Sequence, residues 1–215
     1  MTVHDDSYKF EGGTPDSLSS HRPAIRMSTH DPQAPSDHLL RMLAAVPVSS
    51  QILDLGCGEG RHTEPLLRLG FPVHACDPRP AAVEATRDRV RDLIGADAVE
   101  SSVQVTPLDA LEDLDATFDW VVADAAETYV ADEDDLRVLL AESRRLLKPG
   151  GWLYLTLPAP PEGEEGGRAV FSLDTVERLR RQADLAEAGD PSRLDEGPAP
   201  RIRAIYRRVD PHTPA

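Results

Sequence analysis

The chain has 215 residues, a formal net charge of −15 and 40% apolar residues. That length suits one sizeable domain with its own core, and with no apolar run of 18 residues or more a membrane-spanning helix is not expected. Residues 101–150 carry twelve acids against four bases, which argues against a surface that tracks nucleic-acid phosphates.

The N-terminal stretch MTVHDDSYKF lacks a basic region followed by an apolar core, so it does not read as a secretory leader. The two cysteines, Cys57 and Cys76, form no C-x-x-C pair. They fit a reduced, cytoplasmic protein with neither a disulfide framework nor a metal site. Residues 1–35 are rich in Ser, Asp, His and Pro and show little periodicity, so they read as a flexible arm or lid. The domain proper is expected over residues 36–210.

Ser36 can cap a first helix bearing Leu39, Leu40, Met42, Leu43 and Val46. SQILDLG reads as a buried strand. RHTEPLLRLG reads as a helix that starts late because of Pro65, and Gly70 stops it. FPVHACD is a second strand, and Pro78 and Pro80 open the next helix. SVQVTPLD and FDWVVADA are the third and fourth strands. Asp132, Glu133, Asp134 and Asp135 begin the clearest helix, where the helix dipole favours negative charge. KPGG ends that helix and WLYLTLP is a fifth strand. LDTVERLRRQADLAEAG reads as one helix, and RIRAIYRRV as a final strand. Alternation of this kind predicts a doubly wound α/β fold, with a mostly parallel Rossmann-like sheet, an antiparallel C-terminal strand and helices on both faces. Ligands then bind at the carboxyl ends of the strands, at the topological switch point.

The stretch ILDLGCGEG places Gly56, Gly58 and Gly60 in the first strand-to-helix turn. Glycine there allows a sharp turn and close approach of a ligand to the backbone. Asp77 closes the next strand, where a carboxylate can accept hydrogen bonds from both hydroxyls of a ribose. The pair points to a nucleoside-containing ligand. The spacing is G-x-G-x-G rather than the dinucleotide G-x-G-x-x-G, and no G-K-[ST] follows as a P-loop would need.

LDLGCGEG resembles the first motif of the class I S-adenosylmethionine-dependent methyltransferases. HACDP, PLDAL, FDWVVADAAETYV and RRLLKPGGWLYLTLP resemble further motifs of that family, in the same order. The resemblance covers residues 36–158 well and is weaker over 171–209. It implies S-adenosylmethionine as cofactor and a small, single-domain enzyme acting on a metabolite.

By the same resemblance, Asp54 and Gly56 would line the methionine end of the cofactor, and the loop through Cys57, Gly58 and Gly60 would pass close to it. Asp77 would hold the ribose with Pro78 packed nearby. Asp109 and the Ala110 N–H would meet the adenine edge. Asp124 would lie near the sulfonium or the acceptor. His62, Glu127, Tyr129 and Asp124 are the candidates for a base acting on the acceptor. Many enzymes of this type carry a histidine where Tyr129 stands, which speaks against histidine-based deprotonation from that loop. The fourth strand is followed by neither an N/D-P-P-Y/F run nor a Pro-Cys pair. This argues against methylation of exocyclic amines and of cytosine C5. The expected partner is a small-molecule acceptor, with neither nucleic acid nor membrane involved. A macromolecular acceptor, or an inactive cofactor-binding module serving a partner, are the alternatives.

Overall fold

Along the central strands, successive side chains alternate between two apolar clusters. In β1 (Ile52–Leu55), Ile52 contacts one apolar cluster while Leu53 and Leu55 contact another. β4 (Phe118–Ala123) divides in the same way, with Trp120 and Val122 on the first side and Val121 and Ala123 on the second. Successive strand residues point to opposite faces, so strands with apolar residues on both faces require cover on both. Helices supply it. The first cluster takes Leu39 and Leu43 from α1 (Asp37–Leu43), Leu66 from α2 (Thr63–Arg68), and Val83 and Val90 from α3 (Pro80–Ile94). The second takes Leu136, Leu139 and Leu140 from the long helix Glu133–Leu146, and Val176 and Leu179 from the helix Leu173–Gln182.

This is a computed structural model, and it describes residues 34–124, 126–164, 169–195 and 199–209, without the side chain of Asp109. The remaining elements are β2 (Val73–Asp77), α4 (Ala96–Ser102), β3 (Val103–Val105), β5 (Leu147–Pro158), β6 (Leu185–Leu194) and β7 (Arg201–Arg208), with Glu133–Leu146 as α5 and Leu173–Gln182 as α6. The seven strands form one sheet in the order β3-β2-β1-β4-β5-β7-β6. β7 runs antiparallel to both β5 and β6, and every other pairing is parallel. The doubly wound Rossmann-like sheet is therefore as the sequence predicts. The expected arm over residues 1–35 lies almost wholly outside the described residues. Among the described residues, no helix is long and apolar enough to cross a membrane.

The Ser36 cap is present, its hydroxyl accepting from the Leu39 N–H at 3.3 Å. Asp132 caps α5 by accepting from the N–H groups of Asp134 and Asp135. Pro65 sits at the third position of α2, where no intrahelical N–H bond is lost.

Three expectations are corrected. The helix expected to run on to residue 189 stops at Gln182. Asp184 takes a left-handed turn (φ 55°), and the chain then runs as β6 along β7. Gly189 and Pro191 fall in this strand, where the register shifts twice, and β6 is an edge strand, where proline is tolerated. The third strand is only Val103–Val105, and a short helix, α4, precedes it where no element is expected. β5 begins at Leu147, directly from α5, so KPGG lies within the strand.

β1 is flanked by β2 on one side and β4 on the other, which makes the carboxyl end of β1 the switch point of the sheet. The glycine turn leaves from there.

Candidate functional site

The turn after β1 is built from left-handed glycines. Gly56, Gly58 and Gly60 have φ of 83°, 56° and 80°, values that side chains resist. The N–H groups of Gly56 and Cys57 both donate to the Cys76 carbonyl at the end of β2, at 2.8 and 3.0 Å. Thr86 Oγ1 on α3 donates to the Gly58 carbonyl at 2.7 Å. A Cβ on Gly60 would stand 3.3 Å from Thr86 and Arg89. A Cβ on Gly58 would meet nothing nearer than the tip of Arg79 at 3.9 Å. The loop is thus fastened to β2 and α3, with the Arg79 guanidinium tip above Gly58.

Asp77 is fully buried at the end of β2. Its Oδ2 accepts from the Gly58 N–H at 3.1 Å, which ties the glycine turn to the acid. Its Oδ1 accepts from the Arg79 N–H at 2.9 Å. The Arg79 guanidinium adds Nε to Oδ1 at 2.9 Å and Nη2 to Oδ2 at 3.0 Å. Burial alone would raise the carboxyl, but these bonds outweigh it and hold Asp77 below the usual carboxylate range. Pro78 follows, half-buried, beside this acid.

Asp54, in β1, lies beneath the turn and is 2% exposed. It accepts from Thr63 Oγ1 at 2.5 Å, and burial pushes its carboxyl up to about 6. Cys57 and Cys76 are buried free thiols. Burial moves both upward, Cys76 to about 12, so neither is a thiolate near neutral pH.

Leu108–Ala110 forms a single 3₁₀ turn after β3, in which the Ala110 N–H donates to the Pro107 carbonyl at 3.1 Å. In this structure that N–H is therefore already engaged. Tyr129 comes from the segment after β4 and reaches across β1. Its hydroxyl donates to the Thr106 carbonyl at 3.1 Å, and its ring stands 3.5 Å from where a Gly56 Cβ would be. Burial drives this phenol well above its usual value. Tyr129 thus packs against the glycine turn at Gly56.

The other half of the site is a chain of charged and hydroxyl groups at the ends of β4, β5 and β7. Asp124 Oδ1 accepts from Thr156 Oγ1 at 2.5 Å, and its Oδ2 accepts from Arg61 Nη2. Arg201 Nη2 lies 3.3 Å from Thr156 Oγ1, and the Arg201 guanidinium grips the Glu127 carboxylate through both nitrogens. His62 is 4% exposed, with Nε2 3.4 Å from Asp124 Oδ2. That nitrogen already accepts the Ser36 N–H at 3.1 Å, so it carries no proton. Burial holds His62 well below its usual value. The four candidate bases are therefore all engaged in hydrogen bonds or ion pairs. Of Asp124, Glu127 and His62, Glu127 has the most solvent access, its side chain being 36% exposed against 9% and 5%.

Sequence alone does not single out Thr63, Thr86, Arg79, Thr156 or Arg201. Thr156 carries a faint signal, as the lone polar residue within the apolar run LYLTL. Thr63, Thr86 and Arg201 depend on contacts with other elements, and Arg79 on a side chain that turns back onto Asp77 two residues earlier.

The mostly parallel sheet, the left-handed glycine turn and the acid at the end of the neighbouring strand belong to the Rossmann-like fold that the chain shares with solved methyltransferases. Residues 52–151 match the family model described as a methyltransferase domain. Ubiquinone biosynthesis O-methyltransferases resemble the chain at 34% identity over 104 residues in Methylocella silvestris and 36% over 133 in Xanthomonas oryzae. These alignments cover 48% and 59% of this chain, but only 38% and 48% of the relatives, so the chain spans about half their length or less. Among solved structures, the Burkholderia thailandensis 1,6-didemethyltoxoflavin-N1-methyltransferase was determined with its substrate and S-adenosylhomocysteine bound. It aligns with a TM-score of 0.62 at 21% identity, over 80% of this chain and 76% of its own.

Proposed function

We propose that this chain transfers a methyl group from S-adenosylmethionine to an O, N or S atom of a small-molecule acceptor. The observation that carries the proposal is the bond from the Gly58 N–H to Asp77, which joins a left-handed glycine cradle to a buried acid on the adjacent strand. The cradle suits a nucleoside cofactor because the space above Gly58 is what a side chain would fill. The backbone of Gly56, Cys57, Gly58 and Gly60 would line it, and Asp77 with Pro78 would take the ribose. Asp109 and Ala110 would stand at the adenine edge, and Asp54 and Asp124 at the methionine and sulfonium end. The names of the relatives support both the cofactor and the small acceptor.

When bound, the cofactor supplies an already activated methyl group. The protein's task is then to align an acceptor lone pair and keep water away. Positioning of this kind is worth on the order of 7–11 kcal/mol in favourable cases. Asp124 is held by Arg61 and Thr156, so it would serve as a fixed polar wall, paired with a cation, near the reacting centre. Glu127 is the candidate base, because its pairing to Arg201 is partly exposed and can open when an acceptor enters. Tyr129 and His62 support the site, one packed against Gly56 and the other bonded to the Ser36 N–H.

The test is methyl transfer from radiolabelled S-adenosylmethionine into a fractionated metabolite extract. Label in one small-molecule fraction, absent with heat-denatured protein, supports the proposal. Label only in macromolecules redirects it to a larger acceptor. Normal cofactor binding without transfer leaves a binding module instead.

A further inference from the structure

Asp77 has no exposed surface, yet the proposed function needs it to receive a ribose. The Arg79 side chain contributes to the cover. Four donors converge on the carboxylate, about as many as its lone pairs can accept. Two are backbone N–H groups, of Gly58 and Arg79, and cannot leave without remaking the glycine turn or the start of α3. The other two belong to the Arg79 guanidinium, one on each oxygen. The Arg79 side chain is 59% exposed, and its tip lies over Gly58, in the mouth of the cradle. A ribose offers two adjacent hydroxyl donors, so the number of donors matches.

We propose that Arg79 is a placeholder in the ribose site. Its guanidinium occupies the two acceptor positions on Asp77 that the ribose hydroxyls would take, so that cofactor binding is an exchange of guanidinium for diol. The proposal rests on the cofactor assignment above. Before binding, Arg79 keeps the carboxylate oriented and paired. On binding it swings outward, its long stem already on the solvent side. The exchange leaves the buried carboxylate fully hydrogen-bonded, because each guanidinium N–H that leaves is replaced by a ribose hydroxyl. Asp77 supplies affinity, while Arg79 sets how much of it is realised.

The experiment is calorimetric titration of S-adenosylhomocysteine into the wild-type chain and into Arg79→Met, which keeps the aliphatic stem. The variant should bind at least about twofold more tightly, the low end set by exposed pairs, since only the arginine end of this pair is exposed. The gap should narrow only in part in about 1 M salt, because these contacts of 2.9 and 3.0 Å fall within the screening length of about 3 Å and the acid is buried. Weaker binding by the variant would overturn the proposal, because Arg79 would then hold the ligand rather than compete with it. Equal affinity at low salt would overturn it as well. If neither protein binds, the cofactor assignment fails first, and this outcome is distinct from both. Arg79→Gln, with thermal melting of the free proteins, guards against a folding defect in the first variant.

Discussion

Replacing Asp54 with Asn separates the charge of a buried carboxyl from its shape. Asp54 is 2% exposed and accepts one bond from Thr63. Burial raises its pKa from 3.8 to about 6, with the Thr63 bond pulling the other way. The folded protein therefore keeps a proton that the unfolded chain has already released. The stabilisation from this group is complete below pH 3.8 and is lost as pH rises through about 6. Two pKa units correspond to about 3 kcal/mol, which is the cost carried at neutral pH. His62 works in the opposite sense. Burial lowers it below 6.5, so its contribution is present above that value and is lost as pH falls toward the depressed one. In the wild type the two slopes oppose each other in mildly acidic solution. Asn at position 54 can still accept from Thr63 but does not titrate. We expect Asp54→Asn to match the wild type near about pH 4 and to exceed its stability by about 1–3 kcal/mol at neutral pH. Urea denaturation of both proteins at about pH 4.5, 5.5 and 7 measures the difference. A difference that does not change with pH would refute the buried proton on Asp54.

Gly58→Ala should cost about 1–2 kcal/mol of stability from its left-handed backbone and should also weaken S-adenosylhomocysteine binding. Gly70→Ala, at φ 90° with nothing within 4 Å, should pay similar strain and leave binding untouched. Tyr129→Phe loses the bond to the Thr106 carbonyl, for about 0.5–1.5 kcal/mol in a thermal or urea melt, while methyl transfer persists. Once the acceptor is found, Glu127→Gln should lower turnover by about 10²–10⁴-fold without changing cofactor affinity, if the acceptor must lose a proton. Unchanged turnover would mean that the acceptor attacks unaided.

The strands and the glycine turn are legible in the sequence because their causes are local. ILDL is apolar on both faces, and three glycines in five residues mark a left-handed turn. Asp132 and the acids behind it announce α5. β6 is not legible, because DLAEAG contains good helix formers and becomes a strand only by pairing with β7. On the site, Asp77 follows from its place at the end of β2. Its cover does not, since nothing in DPR says where a guanidinium will turn. His62 reads as a base, yet its Nε2 is engaged by Ser36, a contact 26 residues away in sequence. Likewise Glu127 gives no hint of Arg201, 74 residues on. What depends on rotamers and distant partners appears only once the chain is folded.

The central claim is that the glycine turn and Asp77 form one cofactor site, and calorimetric titration of S-adenosylhomocysteine into the wild type and Asp77→Ala tests it most directly. The account predicts one-to-one binding by the wild type. The variant should remain folded and lose about 1.5–3 kcal/mol of affinity, the scale for hydrogen bonds to a charged group. That corresponds to roughly 10- to 150-fold. No binding by the folded wild type, or equal binding by the folded variant, would contradict it.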